Sequence, residues 1–400
     1  MQKPELLAPA GNYEKLKTAI HFGADAVYLG GKNFSLRSFA DNFTEEELKK
    51  GVEYAHAHGV KVYVTVNIFA KDGDFPAAAE YFRFLEKIGA DAVLITDPGL
   101  FTLCGEVAPR LTRHISTQSN TLNGRTAKFW KELGASRVVL ARELSVSGIK
   151  EIHEIAPDVE LEVFVHGAMC ISYSGRCLLS NYLTGRDANR GECVQACRFS
   201  YALTEAESGK VLPVEEDGRG SYILNSKDLN LIRYLPALVE AGAVSFKIEG
   251  RMKSEYYLAT VVSAYRKAID FFFSGGKELP DSIAEELEKV SHREYTTAYA
   301  LGENDGTVAS EVGGTHGGCT FICRVTGEKD GYTEVEMRNR FYLGDRLEIL
   351  SANGEADGKS FVVSEILDEN GEKVTDAKRV QQKLYLKVPY ALSEDDILRK

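Results

Sequence analysis

Four cysteines stand within 28 residues, Cys170, Cys177, Cys193 and Cys197, with the spacing Cys-x6-Cys-x15-Cys-x3-Cys. A cysteine is often just a small buried apolar side chain, and that suits Cys104 in Leu103-Cys104-Gly105. It suits the four poorly, because Arg176, Arg186, Arg190 and Arg198 lie among them. Their spacing points to a metal site. Structural zinc favours close Cys-x2-Cys knuckles. Thiolates carried on longer loops also suit a 4Fe-4S cluster, in which each iron takes one cysteine. Spacing therefore leans to iron–sulfur, with zinc as the alternative. Cys319 and Cys323 read as two residues on one face of a strand, and as a pair they are two ligands short.

These thiols must be positioned by a scaffold, and the first 250 residues describe one. Short β-branched runs alternate with helical stretches. The predicted strands are 5–10, 25–31, 60–68, 91–97, 113–119, 137–141, 160–165 and 244–248. Helices are predicted from Asn12 to Phe22, from Thr44 with Glu47 as a capping box, and over 77–88, 125–133, 145–155 and 229–240. Alternation of this kind means parallel strands joined by right-handed crossovers. Eight units in about 250 residues match a closed (β/α)8 TIM-like barrel. An open doubly wound sheet would want a glycine-rich phosphate loop after the first strand, and Ala8-Pro9-Ala10-Gly11 is not one. Helices over 254–274 and 278–292 should buttress the barrel. After residue 305 five short alternating runs, separated by Asp330-Gly331, Asn353-Gly354 and Asn370-Gly371, predict a small antiparallel β-barrel. The expected organisation is a TIM-like barrel over 1–305, a cysteine-bearing insertion at 167–225, and a small β-barrel over 306–400.

In such a barrel chemistry sits at the carboxyl ends of the strands. The seventh strand runs straight into Cys170, so the cysteines should lie over the mouth. The strand ends beneath offer Asn67, Asp97, Gln118, Arg142, Glu143, His166 and the run Lys247-Ile248-Glu249-Gly250-Arg251. His166 is a candidate base or cluster neighbour, against a merely hydrogen-bonded histidine. Lys247, Glu249 and Arg251 alternate on one strand and its exit and so share a face. A site role competes there with a structural Lys–Glu pair. Arg142 is a site candidate or half of a rim ion pair.

Composition narrows the classes. The chain has 400 residues, 44% hydrophobic and 27% charged, which excludes wholesale disorder. A net charge of −11 argues against a protein that coats nucleic acid, though a local basic site is compatible with it. No apolar run is long enough for a membrane span, and Met1-Gln2-Lys3-Pro4-Glu5 lacks a signal-peptide layout, so a cytoplasmic location is expected. Arg338 and Arg340, in Met337-Arg338-Asn339-Arg340-Phe341, form a basic-aromatic patch that could hold phosphate and stack a base, or else a solvated strand edge.

Glu162, Phe164, Gly167, Cys170, Gly175, Cys177 and Ser180 stand at the intervals of a family signature, and the chain resembles the collagenase-like U32 peptidase family. Further similar segments are Leu7-Ala8-Pro9-Ala10-Gly11, Gly191 to Arg198, Asn225 to Leu229 and Lys247 to Ser254, so the resemblance runs through essentially the whole chain. The family name implies a peptidase, but no Gly-x-Ser-x-Gly elbow or His-Glu-x-x-His motif occurs. A cysteine protease would need Cys170 or Cys177 beside a histidine, and His166 is the nearby one. The family's better understood branches imply oxygen-independent hydroxylation with an iron–sulfur cluster on these cysteines. The branch with a small C-terminal barrel is most similar, which implies tRNA as substrate, 5-hydroxyuridine at the wobble position as product, and prephenate as oxygen donor. Many members carry a cysteine directly after Asp-Leu, where this chain has Asn230, which makes Cys197 the natural fourth ligand. The implied site comprises Cys170, Cys177, Cys193 and Cys197 as cluster ligands, with His166, Arg142, Lys247, Glu249 and Arg251 as reacting or donor-binding groups. A homo-oligomer, or a hetero-oligomer with a family paralogue, is compatible with this reading. The alternatives are a peptidase and a non-catalytic cluster-bearing accessory protein.

Overall fold

Local signals set most element boundaries. Asn12 accepts from the amide of Lys15 and starts the helix Tyr13–His21. Thr44 and Glu47 exchange reciprocal hydrogen bonds to start Glu45–Ala57. Gly23, Gly89 and Gly242 take positive φ just past three helices, which turns the chain into the next strand. A computed structural model describes residues 3–36, 41–170, 172–173, 175–198, 203–204, 211–212, 216–217, 220–221, 226–302, 317–352 and 354–400. The expected division at 305/306 and part of the 167–225 insertion, mostly after residue 198, lie outside these residues.

Eight strands form the barrel: β1 (Glu5–Pro9), β2 (Ala26–Leu29), β3 (Lys61–Val66), β4 (Ala92–Ile95), β5 (Thr112–Ile115), β6 (Arg137–Val139), β7 (Glu160–Ala168) and β8 (Ala243–Ile248). Each pairs in parallel with the next in this order. β8 pairs with both β7 and β1, which closes the ring. The apolar core is continuous from the barrel interior to its helices.

Three segments differ from expectation. Residues 229–240 are not one helix. Asp228–Asn230 is a short strand antiparallel to the end of β7, and the helix begins only at Leu235, with Pro236 in its first turn. Proline fits a first turn, where its missing N–H costs nothing. Residues 278–292 hold only a single turn at Asp281–Ala284 and a 3-10 stretch, Glu285–Lys289. An unexpected helix, Pro98–Val107, starts on Asp97, which caps the amide of Leu100.

The C-terminal residues form a seven-stranded antiparallel sheet in the order 360–362, 346–350, 397–399, 321–329, 332–337, 383–386, 366–367, curled into a half-barrel around its own core. Leu350 and Ile397 belong instead to the core of the large barrel. Arg399 fastens the two: it is 1% exposed, pairs with Glu286, and reaches Glu348 at 2.6 Å. Among the described residues no helix is long and apolar enough to cross a membrane.

Replacing Arg399 by Ala leaves buried Glu286 and half-buried Glu348 to share Lys289 as their one remaining cation among the described residues. It should destabilise the protein by about 3–5 kcal/mol in urea unfolding. Burial pushes the Glu286 and Glu348 carboxyls up, but Arg399 and Lys289 outweigh it and hold both below the ordinary value of 4.5. Their stabilisation is therefore full above pH 4.5 and is lost as pH falls below it. That acid loss should be shallower in Arg399→Ala than in wild type.

Candidate active site at the barrel mouth

Inside the barrel, inward-facing polar residues form a ladder of charge. Glu162, fully buried on β7, accepts from Lys247 Nζ at 2.7 Å and from Arg137 at 3.2 Å. Arg137 also reaches Glu5 at 2.5 Å, and Glu5 accepts from Tyr63 at 2.7 Å and from Ser245 at 3.0 Å. Burial raises the pKa of Glu162, but Lys247 and Arg137 outweigh it and hold the carboxylate ionised. Lys247 lies over the Tyr28 ring at 4.3 Å. Lys247 is thus held in a buried Lys–Glu pair, but its partner is Glu162 across from it on β7 and not Glu249, its neighbour along the chain.

Lys247 also forms the floor of a cavity of about 50 Å³ at the carboxyl ends of the strands. Asn67, Gln118, Glu249 and Arg251 line its polar side, and Tyr28 and Phe164 its apolar side. Three of the five non-cysteine candidates thus meet here. Arg251 is buried and donates to Ser35 at 2.8 Å, Thr65 at 3.1 Å and Asn42 at 2.5 Å. Glycine is required beside it: a Cβ at Gly30 would sit 2.5 Å from its guanidinium, and one at Gly11 2.2 Å from its carbonyl. Gln118 Oε1 is buried at this mouth and accepts no hydrogen bond among the described residues. A lone buried acceptor costs about 1–3 kcal/mol, so it favours a donor from a ligand. The cavity holds only about one or two waters. A nucleobase or dicarboxylate enters only if the walls move.

His166 is placed differently from expectation. The pairing of β7 with β8 slips by one residue between Phe164 and His166. The slip turns the imidazole away from the mouth. It packs among Tyr257, Tyr265 and Tyr295 at ring distances of 6.0, 5.4 and 5.5 Å, with Nδ1 3.4 Å from the Tyr265 hydroxyl. Burial lowers its pKa to about 3, so it is neutral. It makes no hydrogen bond to Cys170 or Cys177. Asp97 is spent as a helix cap. Arg142 stands at the rim, donating to Ala168 O at 2.9 Å with its guanidinium over Phe164 at 5.3 Å.

The cysteine segment lies as a roof over this mouth. Arg190 ties it to the β3 exit, donating to Phe69 O at 2.6 Å and Asp74 at 3.0 Å. A side chain at Gly175 would meet Gln118 at 3.0 Å and the Phe69 ring at 3.1 Å. Cys170 is exposed, and Cys177, Cys193 and Cys197 are half-buried. Cys193 Sγ accepts from the Gln195 amide at 3.4 Å. As a donor set, four thiols on one roof suit a soft metal, iron or zinc. Among the described residues no three Cys, His, Asp or Glu side chains are gathered into a chelate, so the fit lies in donor chemistry and not in formed geometry.

Arg338 and Arg340 are not an open cationic patch. Arg338 pairs with Glu255 and Glu336 at 3.1 and 3.0 Å, and Arg340 with Asp376 at 2.5 Å. Sequence reading missed Gln118 as an orphaned acceptor and Glu162 as the axial carboxylate. The alternation of Glu160 and Glu162 with apolar residues on β7 was the available signal.

The chain matches peptidase family U32 over residues 11–310 and the peptidase family U32 C-terminal domain over residues 318–399. It is 40% identical to the tRNA hydroxylation protein P1 of Bacillus subtilis, over 100% of this chain and 95% of that protein. It is 37% identical to the tRNA hydroxylation protein P of Escherichia coli, over 98% of this chain and 95% of that one. A collagenase of Porphyromonas gingivalis is 36% identical over 76% of this chain and 74% of its own length.

Two outcomes test the geometry. Glu162→Gln, which leaves Lys247 and Arg137 short of a counterion, should cost about 3–5 kcal/mol in urea unfolding. The His166 ring, followed by NMR, should show no titration between pH 5 and 8, because its pKa is near 3. The unfolded chain takes up a proton below about pH 6.5 that the folded His166 refuses, so this residue's contribution to stability falls as pH drops from 6.5 toward 3.

Proposed function

The chain belongs to peptidase family U32, and on that footing we propose that it is a tRNA-hydroxylating enzyme that converts wobble uridine to 5-hydroxyuridine without molecular oxygen, using prephenate as oxygen donor. The observation that carries this reading is the 40% identity, along the whole chain, to a protein named for tRNA hydroxylation. The mouth supports it in kind. Arg251 sets a guanidinium in the small cavity and Arg142 a second at its rim, as carboxylate recognition wants. We assign Arg142 and Arg251 to the donor's carboxylates, and Glu249 and Lys247 to the walls that orient the base. Inserting oxygen at a pyrimidine carbon is an oxidation that side chains alone do not perform. Cys170, Cys177, Cys193 and Cys197 would hold a 4Fe-4S cluster, which supplies one-electron redox chemistry when bound; zinc is the alternative occupant.

The peptidase reading draws on the collagenase relative. It needs a thiolate beside an imidazole. His166 is neutral and enclosed by tyrosines on the far side of β7, which disfavours it.

Protein purified without oxygen should contain about four irons and four sulfides per chain, both lost in Cys170→Ala. A strain lacking the gene should lack 5-hydroxyuridine in digested tRNA. Wild type should restore it, and Cys170→Ala or Arg251→Lys should not. Unchanged nucleosides in the deletion strain would overturn the proposal, and stoichiometric zinc without sulfide would overturn its cofactor.

A further inference from the structure

The roof presents a surface that neither the mouth nor the thiols use. Tyr182 on the short helix Leu179–Thr184 is 86% exposed, its chain neighbours Leu178 and Leu183 are 71% and 43% exposed, and Tyr173, at the start of the same segment, is 50% exposed. Arg176 and Arg186 are exposed among them. The two acids of this stretch are engaged by their own loop: half-buried Asp187 accepts from the Asn189 amide at 2.9 Å, and exposed Glu192 from the Asp187 amide at 3.1 Å. Residues 172–198 hold four arginines and two acids, in a chain whose net charge is −11; Arg190 is spent on Phe69 O and Asp74, and Arg176 and Arg186 are the cations exposed on the described surface. The surface is also continuous with the mouth. The Arg176 guanidinium lies over Phe69 at 5.7 Å, and Gly175 abuts Gln118, whose orphaned oxygen faces the cavity.

We propose that this surface is a stacking platform for unpaired loop bases of RNA, with Tyr182 and Tyr173 against base faces and Arg176 and Arg186 against phosphates. The inference rests on the tRNA reading and deepens it by assigning where the loop docks. Exposed aromatic rings interleaved with arginines are what single-stranded nucleic acid uses, because every base has a face to stack and every nucleotide a charge to neutralise. A duplex hides its base faces and gains little here. A protein partner would want a wider apolar centre free of charge. Bases held on the platform are delivered to the edge of the cavity through Gln118.

The test uses full-length protein purified without oxygen and two RNA probes, a stem-loop with uridine in its loop and a blunt duplex. Tyr182→Ala should bind the stem-loop about tenfold more weakly, with duplex binding unchanged and Tyr182→Phe close to wild type. Arg186→Ala should flatten the salt dependence of stem-loop binding. 5-Bromouridine in the loop should photo-crosslink to Tyr173 or Tyr182. Wild type that binds the stem-loop but crosslinks elsewhere, with Tyr182→Ala unaffected, overturns the platform and leaves the tRNA reading standing. Wild type that binds neither RNA overturns both. Loss of self-association in Tyr182→Ala, with RNA affinity intact, makes the surface a protein contact and overturns the platform.

Discussion

The buried carboxylate of Glu162 is the interaction on which the barrel turns. It joins Lys247 on β8 to Arg137 on β6, and Arg137 passes the link to Glu5 on β1, where Tyr63 from β3 and Ser245 from β8 also meet. Five of the eight strands are pinned by one chain of charge along the axis. Taking these ions from water is costly, and the return comes only when every partner is in place. A one-residue slip of any of these strands would turn its member of the chain out of the axis. The same ladder raises Lys247 to the floor of the mouth cavity, so the stability of the barrel and the electrostatics of the site share one set of atoms.

Above this floor the site is built from loops, each held by a cation. Arg251 gathers the segment after β2 through Ser35 and Asn42, and Arg190 fixes the thiol roof to the segment after β3. Arginine suits both tasks because its planar fork serves several acceptors at once. The cavity that results is too small for a base. On the tRNA reading proposed above, recognition outside it and admission into it are separate events, and the exposed tyrosines of the roof lie on the outside.

Much of this was legible before any coordinates. The strand-helix alternation, the cap residues Asn12 and Thr44, and the glycines closing three helices are local signals, and the structure follows them. Pro236 stands inside the apolar stretch 229–240, where a helix interior would lose a donor, so the helix that forms starts at Leu235 with the proline in its first turn. Pro98 behind Asp97 was a readable helix start that the apolar run obscured. At the site, Lys247, Glu249 and Arg251 share a face as their alternation requires, and they meet in the cavity. Alternation failed for His166, because a bulge at Val165 is a property of the pairing between two strands and leaves no mark in either alone.

The amino-acid sequence by itself determined the scaffold class, the clustering of four thiols after the seventh strand and the strand ends at which chemistry would be sought, because these depend on spacing along one chain. Only the tertiary structure decided that Lys247 answers to Glu162, that His166 turns neutral behind a strand, that Arg338 and Arg340 are spoken for by acids, and that Gln118 is left with an unmet acceptor. Each of those is a matter of which distant residue arrives alongside. Pair geometry and burial set charge and hydrogen bonding, and both exist only once the barrel has closed.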